Sequence, residues 1–418
     1  MQTITAHFKL ITPMFMGSAD TEKAELRLSS INGVLRFWFR ALAWDRLQGD
    51  ISQVKQLESH VFGGIDNKES RKHSFLMRFS SRNFQISQKD SSISRINEPV
   101  GLSYLGYGCV NFRHTTDRGF FKPDSSFAVK LHFRHSIDNN PISEKTEVKA
   151  FDILLDAFKG ISLLGGLGSR SRRGYGSVKL SALEYNDNPV WSFPSSRESL
   201  DQEIKALLKA GNLKGRMPEY TAVSDKVQML IPESTFQSWD SAHNWIGKKM
   251  IRYRSYGQRK NGQYKLWDGS LAEQWFKCDH DLVAGYIQGE QMNSIPDRCI
   301  FGLPHNYAFG KNNQGLRPTV SVAGNHDHAQ RRASPLFVRI YELSPESYFV
   351  GLIVIRAVFL PDKKIKKQTE IKFMETTKDR RREHIRANSP YNRKYPKCVP
   401  QIPSNWDTLD DFLSYCQE

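Results

Sequence analysis

Cysteine is scarce in this chain, and the five present (Cys109, Cys278, Cys299, Cys398 and Cys416) are scattered, odd in number and never spaced C-x-x-C. That pattern offers neither a zinc ribbon nor a disulfide framework, and it fits a reducing compartment. Long apolar runs are missing too: no stretch approaches the ~20 apolar residues that cross a bilayer. The opening M-Q-T-I-T-A-H-F-K-L lacks the uninterrupted apolar core of a secretory signal. A cytoplasmic protein with no membrane contact is therefore expected. Neither common phosphate loop occurs. G-x-x-x-x-G-K-[ST] fails because no lysine follows the relevant glycine, and Gly166-Leu167-Gly168 runs on into Ser-Arg instead of completing G-x-G-x-x-G. Nucleotide hydrolysis and dinucleotide binding lose their main support.

Acidic charge is also short. The 418 residues hold 44 Asp and Glu against 60 Lys and Arg, a net +16, and the sequence pI is near 9.5. Such a balance points to a polyanionic partner, with nucleic acid the leading candidate. Half of the surplus is local, because residues 361–400 carry 13 Lys and Arg against 5 Asp and Glu, a net +8. A contact with nucleic acid or with an acidic protein is expected there, and sequence does not separate the two.

What the chain does have is a glycine–arginine stretch from Lys159 to Val178, K-G-I-S-L-L-G-G-L-G-S-R-S-R-R-G-Y-G-S-V. Six glycines (Gly160, Gly165, Gly166, Gly168, Gly174 and Gly176) surround Arg170, Arg172 and Arg173. Backbone freed in this way can turn successive N–H groups toward one anion, and guanidinium forks at its rim can grip phosphate oxygens two at a time. A phosphate backbone is the expected ligand.

The order of elements places that loop. Residues Thr3 to Leu10 alternate as a half-buried strand does, with Ile4, Ala6, Phe8 and Leu10 on one face. A helix follows through I-N-G-V-L-R-F-W-F-R-A-L-A-W, capped by Ser29 or Ser30, with Ile31, Val34, Leu35, Trp38 and Leu42 as its core stripe. Asn32, Arg36 and Arg40, four residues apart, form a polar stripe beside it, either snorkelling or facing phosphate. Strands are expected at Phe75–Phe79, Tyr104–Asn111 and Phe127–Phe133, with a long polar loop from Ser80 to Asn97. Thr146 to Lys159 returns to helical spacing, with Gly160 at its C-terminus. The glycine–arginine loop then leads into a strand at Ser177–Ser181. Strand, helix, strands, helix, loop, strand is the order of an α+β, ferredoxin-like (RRM-like, βαββαβ) domain, expected over residues 1–185.

Chain length makes two domains the default. Pro189, Pro194, Ser195, Ser196 and Pro218 around a short amphipathic helix mark residues 186–222 as a linker or junction. A second domain over 223–418 begins near Lys226–Ile231, with a helix around His243–Ile251 and strands near Leu336–Tyr341 and Tyr348–Phe359.

Four stretches together carry a resemblance: F-K-L-I-T-P-M-F-M-G at the start, the tryptophan–arginine helix, the loop G-G-L-G-S-R-S-R-R-G-Y-G-S-V, and F-G-L-P with R-R-A-S-P-L-F-V. With them the chain resembles the RAMP superfamily of CRISPR RNA-binding proteins, and more narrowly the first RAMP subunits of type III-B (Cmr) effector complexes. The resemblance implies tandem ferredoxin-like domains; the second, over 223–418, is expected to carry the basic segment and a C-terminal helix. It also implies assembly with other RAMP subunits, and a place near the 3′ end of the guide RNA, where guide (crRNA) and single-stranded target RNA are held. Carried over to matching positions, it implies RNA-facing roles for Arg36, Arg40, Gly166, Gly168, Arg170, Arg172, Arg173, Tyr175, Arg331 and Arg332, with Tyr175 able to stack on an unpaired base. The loops near 80–100 and 255–270 and the 361–400 segment look enlarged against that family, so no contacts carry over there.

Two other functions compete. Metal-independent RNA cleavage needs a general base and acid near the scissile phosphate, and His7, His114, His132 and His135 are the candidates among twelve histidines. A structural subunit whose arginines meet acidic neighbours is the second. Cys278-Asp279-His280-Asp281 and Asn325-His326-Asp327-His328 mimic metal sites, but neighbours on extended backbone point in opposite directions and neither set reaches four ligands. No catalytic residue, metal or cofactor is expected.

Overall fold

The computed structural model describes residues 2–66, 69–111, 113–209, 213–287, 290, 294–307, 309, 317–322, 331–359, 369–374 and 406–417. The chain divides into two compact units. The first holds Met1–Lys249 and Leu336–Ala357, with Gln417; the second holds Met250–Pro335 and Val358–Cys416, with Glu418.

In the first unit, β1 (Thr3–Leu10) is followed by α1 (Leu28–Arg46), α2 (Ile51–Phe62), the short pair β2 (Gly64–Asp66) and β3 (Glu69–Arg71), and β4 (Phe75–Asn83). Next come β5 (Ile86–Ser87), α3 (Val100–Leu105), β6 (Phe120–Phe121), β7 (Ser126–Phe133), α4 (Pro141–Thr146), α5 (Ala150–Leu163), β8 (Val178–Tyr185) and β9 (Asn188–Ser192). The main sheet has the order β4-β7-β1-β8-β9, every neighbour antiparallel. The central strand is therefore the first in sequence, flanked by the strands that precede and follow α5. The alternation of Thr3–Leu10 does its work here: Ile4, Ala6, Phe8 and Leu10 are fully buried against the helices. Burying apolar side chains of α1 (Ile31, Leu35, Trp38, Phe39, Leu42) and α5 (Ile153, Leu154, Ala157, Phe158, Ile161) on that face is the dominant stabilisation.

Several expectations shift. α1 starts at Leu28 with Arg27 as its N-cap and no side-chain cap, so neither Ser29 nor Ser30 serves. α5 runs to Leu163, and Gly160 lies inside it instead of ending it. A Cβ there would come within 3.2 Å of the Trp38 ring, so this glycine makes room for an indole. Tyr104–Asn111 is not a strand, since α3 occupies Val100–Leu105. β4 extends to Asn83 beyond the expected end at Phe79. Residues 186–222 are not a linker in this fold. β9 pairs with β8, and α6 (Arg197–Leu208) starts at a Ser196 capping box and buries Leu200, Ile204 and Leu207. The prolines there mark the turns between those elements, not a free tether.

After α6 come β10 (Gln228–Leu230) and α7 (Trp239–Arg254). The second unit carries the hairpin β11 (Gln258–Lys260) and β12 (Gln263–Lys265), α8 (Lys277–Ile287), and a sheet of β13 (His305–Asn306), β14 (Arg317–Val322) and, later in the chain, β17. β15 (Leu336–Ser344) and β16 (Ser347–Val354) return to the first unit and join β10 in the order β10-β16-β15. β17 (Thr369–Met374) and α9 (Asp407–Gln417) complete the second unit. The compact units thus cut the chain differently from a division at 186–222. β15 and β16 pair with each other and with β10, drawing 336–357 into the first unit across the residues of the second. Apart from β17, the basic segment 361–400 lies outside the described residues, as do Cys398 and Asn325–His328.

Candidate nucleic-acid interface

The glycine–arginine loop joins α5 to β8 and is held on every side by main-chain bonds. The amide of Leu167 donates to Gly176 O (2.9 Å), Ser169 N to Phe15 O (2.7 Å), Gly176 N to Pro13 O (2.9 Å) and Val338 N to Arg172 O (3.1 Å). Thr12 Oγ1 donates to Gly174 O at 2.7 Å and accepts from Ser177 N at 2.9 Å. Its glycines serve this closeness. A Cβ on Gly165 would lie 2.5 Å from Trp38 Nε1, one on Gly166 2.8 Å from Gly176 O, and one on Gly168 2.5 Å from Phe15 O. Gly176, at φ +63°, would drive a Cβ into the Leu167 carbonyl. Gly166 and Gly168 therefore act as packing and turn residues, and at least five of the loop's amides are spent inside the fold. An open cradle of N–H groups is not what the loop offers.

Tyr175 corrects a second expectation. Its ring is fully buried between Phe15 (centroids 5.3 Å) and His243 (4.6 Å), and its hydroxyl donates to Leu102 O at 2.9 Å. Burial pushes its hydroxyl well above the ordinary tyrosine value. A ring packed on both sides and bonded at its tip has no face for a base, so Tyr175 is a core residue.

Beneath the loop, α7 supplies His243, whose Nε2 lies 2.7 Å from Arg173 O. The imidazole is fully buried, and desolvation lowers its pKa to about 4, so it is the neutral ring that donates to the carbonyl. β15 supplies Arg339, also buried, which donates to Ser162 O and to Val178 O. Neither residue carries a sequence signal, because both look like ordinary polar positions until the fold brings them under the loop.

The arginines divide into three groups. Arg36 pairs through Nε with Glu58, and Arg40 lies 3.6 Å from the same carboxylate, which is itself buried. Both stand on α1, and Glu58 reaches them from α2. Arg172 lies against rings, 4.5 Å from the Phe337 centroid and 5.7 Å from Phe37. Arg173 fixes the loop through its main chain, which bridges to Val338. Arg170 is exposed, at φ +62°, on the turn that Arg173 N closes by donating to Arg170 O (2.8 Å). Its guanidinium reaches the thiol of Cys109, where Arg118 is also close enough to act on that thiol; burial raises the Cys109 pKa and the two cations oppose the rise. Among the described residues, neither Arg118 nor Arg170 forms a salt bridge, and Arg118 Nε is buried without a hydrogen-bond partner.

Arg118 lines a cleft of about 300 Å³ with Lys23, Ser18 and Ser30, its far wall being Gly168 and Ser169 of the loop. No sequence signal marks Lys23 or Arg118, which sit in unremarkable loops; the main-chain bond from Gly119 N to Thr21 O (3.1 Å) joins those loops, and a Cβ on Gly119 would lie 2.4 Å from the Glu22 carbonyl. A larger cleft of about 740 Å³ lies between α6 and β10. Two of its cations are used internally, Arg197 donating to Ile231 O (2.6 Å) and Lys205 pairing with Asp201 (2.5 Å).

In the second unit, F-G-L-P and R-R-A-S-P come together: Leu303 and Arg332 exchange main-chain bonds of 2.8 and 3.0 Å. The Arg332 guanidinium turns inward to Val358 O (3.2 Å) over the Phe359 ring (5.5 Å), and desolvation lowers its pKa. Arg331 is exposed. The four histidines weighed as catalysts each have their own surroundings. His7 pairs with Glu184 at 3.3 Å, and His114 Nδ1 lies 2.6 Å from Ser103 Oγ. His135 meets the His60 ring at 6.0 Å. His132 stands opposite Thr3, four residues from His7, or about 13 Å along the strands. Among the described residues no three His, Cys, Asp or Glu side chains cluster to hold a metal. Asp279 instead accepts from Asp297 N and Arg298 N, both at 2.8 Å. No described helix is long and apolar enough to cross a membrane.

Sequence comparison places these features in a family. The RAMP superfamily model matches residues 7–179, the span from β1 through the loop into β8. The Cmr subunit Cmr1-2 of the CRISPR system of Pyrococcus furiosus is 30% identical over 176 residues, which are 41% of this chain and 92% of that protein. Cmr1-1 of the same organism is 29% identical over 342 residues, 82% of this chain and 83% of that protein. The crystal structure of Cmr1 from Pyrococcus furiosus is similar at a TM-score of 0.45 and 19% identity, covering 88% of this chain and 93% of that one. A chain of a type III-B Cmr-beta complex bound to cognate target RNA aligns at 0.45 and 13%, covering 87% and 97%. The chain belongs to the RAMP superfamily and, within it, to the Cmr1 family.

Proposed function

We propose that this chain is an RNA-binding subunit of a type III-B CRISPR (Cmr) ribonucleoprotein effector in antiviral defence, contacting guide RNA near its 3′ region, single-stranded target RNA, or both. It assembles with other RAMP subunits and is not the nuclease. Two observations support the family part: relatives named as Cmr subunits and the net charge of +16. One observation carries the RNA part, namely that Arg118 lines a cleft of about 300 Å³ with Gly168 and Ser169 of the loop, that exposed Arg170 is the next residue, and that neither arginine forms a salt bridge among the described residues. Cations held by a rigid loop but not spent on ion pairs are what a phosphate backbone needs. In this reading Arg172 and Arg173 are further RNA contacts of the loop, Arg331 is a separate RNA contact on the second unit, and Arg36, Arg40 and Arg332 are chiefly structural.

The finer architecture goes with it. β4-β7-β1-β8, with helices between β1 and β4 and between β7 and β8, has the strand order of a ferredoxin-like domain. β10-β16-β15, with α7 after β10, repeats its first three strands. We take the chain as two such halves, 1–185 and 223–418, the second interrupted by the residues of the second compact unit.

Binding of the full chain to a labelled single-stranded RNA across a salt series tests the function. Arg118→Ala with Arg170→Ala is expected to weaken binding and to flatten the dependence of log K on log salt by about 1.4, at about 0.7 for each phosphate no longer neutralised. An unchanged slope removes the cleft from the interface. RNA cut without metal in the same mixtures would favour the nuclease reading instead.

A further inference from the structure

Among the described residues seven large apolar side chains are prominently exposed, and three of them, Trp267 (38%), Leu271 (60%) and Trp275 (52%), fall within nine residues of the second unit. Such a concentration marks a contact surface. The local backbone explains the exposure. β11 and β12 form a hairpin, and the chain turns back at Leu266–Ser270 so that Leu271 pairs with Lys265 and Ala272 N donates to Tyr264 O at 2.9 Å. Lys260 and Lys265 then share one face of this three-stranded ribbon with Leu271, and Trp267 stands at its turn. Trp275 is set on Tyr253, with centroids 5.3 Å apart, and its Nε1 donates to Glu273 at 2.5 Å. Trp267 makes no ring contact among the described residues.

Charge decides the occupant. From Met250 to Trp267 the chain has five cations and no carboxylate. Arg252 is paired with Asp268 (2.8 Å), whereas Arg259, Lys260 and Lys265 form no salt bridge among the described residues, and Arg259 and Lys260 are exposed. An indole with a free face beside unneutralised cations suits single-stranded nucleic acid, in which each base offers a face to stack and each nucleotide a phosphate. A duplex hides those faces.

We propose that the β11–β12 ribbon with Trp267 and Trp275 is a second binding site, separate from the glycine–arginine loop, which takes single-stranded RNA by base stacking and phosphate pairing. The test uses the full chain and a labelled 15-nucleotide oligouridine, with an RNA duplex of equal length as the control. Trp267→Ala, at a turn where no packed ring is removed, lowers single-strand affinity about tenfold; Trp267→Phe retains most of it, and Lys260→Glu with Lys265→Glu lowers it further. Duplex binding stays near wild type in Trp267→Ala. Because Arg118 and Arg170 stay intact in these variants, failure here is distinguishable from failure of the cleft. Wild-type oligouridine affinity in both Trp267→Ala and the lysine pair overturns the proposal. So does an equal drop for single strand and duplex, and so does intact RNA binding with weakened association to another Cmr subunit, which would make the ribbon a protein-docking surface.

Discussion

Arg36 and Arg40 on α1 and Arg118 and Arg170 beside the glycine–arginine loop carry the same guanidinium in the same compact unit, yet the fold spends them differently. The first pair shares the buried carboxylate of Glu58, while the second forms no salt bridge among the described residues, Arg118 lining an open cleft and Arg170 following the loop residues Gly168 and Ser169 that line it too. A row of arginines four residues apart does not reveal whether a carboxylate from another helix has already claimed it. The teaching is that net charge locates a polyanion-binding protein, and the pairing of each cation locates the surface.

The sharpest break of that contrast removes the rigidity that holds Arg170. Gly176→Ala forces a Cβ into the Leu167 carbonyl at a left-handed φ. A thermal melt is expected to show a loss of several kcal/mol, more than the ~1–3 kcal/mol of the backbone strain alone, together with weakened RNA binding. Wild-type stability would mean that the loop is slack. Acid comes next. Desolvation puts the His243 pKa near 4, below its ordinary 6.5, with Arg173 O and Asp240 as the groups favouring its charge. The unfolded chain therefore takes up the proton first. Stability from this group is complete above about pH 6.5 and is lost as pH falls from there toward about 4. The slope of melting temperature over that window should shrink in His243→Asn relative to wild type; equal slopes would free His243 from this role.

A smaller effect separates the two arginine pairs directly. Arg36→Ala leaves the buried Glu58 carboxylate with Arg40 alone, at 3.6 Å, and is expected to cost about 2 kcal/mol, the worth of a charged hydrogen bond to a buried group. That is a melting shift of roughly 5 °C for a unit of this size. Arg170→Ala is expected to change stability by less than about 0.5 kcal/mol, as exposed substitutions do, and to act on RNA alone. Similar melts for the two would dissolve the distinction.

Much of this was legible in the sequence. The alternation of Thr3–Leu10, the apolar stripe of α1 and the glycine–arginine loop fixed the first half of the fold, because each rests on a local period or on glycine. The helical spacing of Thr146–Lys159 marks α5 less well: Val148, Phe151 and Leu155, which carry that spacing with Phe158, are half-buried flanks, and the buried centre is Ile153, Leu154, Ala157, Phe158 and Ile161. What could not be read was long-range. Tyr175 looked like a stacking ring because nothing local shows that Phe15, Leu102 and His243 enclose it. Lys23 and Arg118, ninety-five positions apart, meet only through the fold. The 186–222 stretch looked like a tether since its prolines were visible and the pairing of β9 was not.

The most direct measurement compares Arg118→Ala/Arg170→Ala with Arg36→Ala/Arg40→Ala for single-stranded RNA affinity, over a salt series and at a temperature where both remain folded. A salt slope lowered by about 1.4 in the first variant and held near wild type in the second is the predicted result. The reverse pattern would contradict the account, because it would put the RNA on α1 and make the loop's cations bystanders.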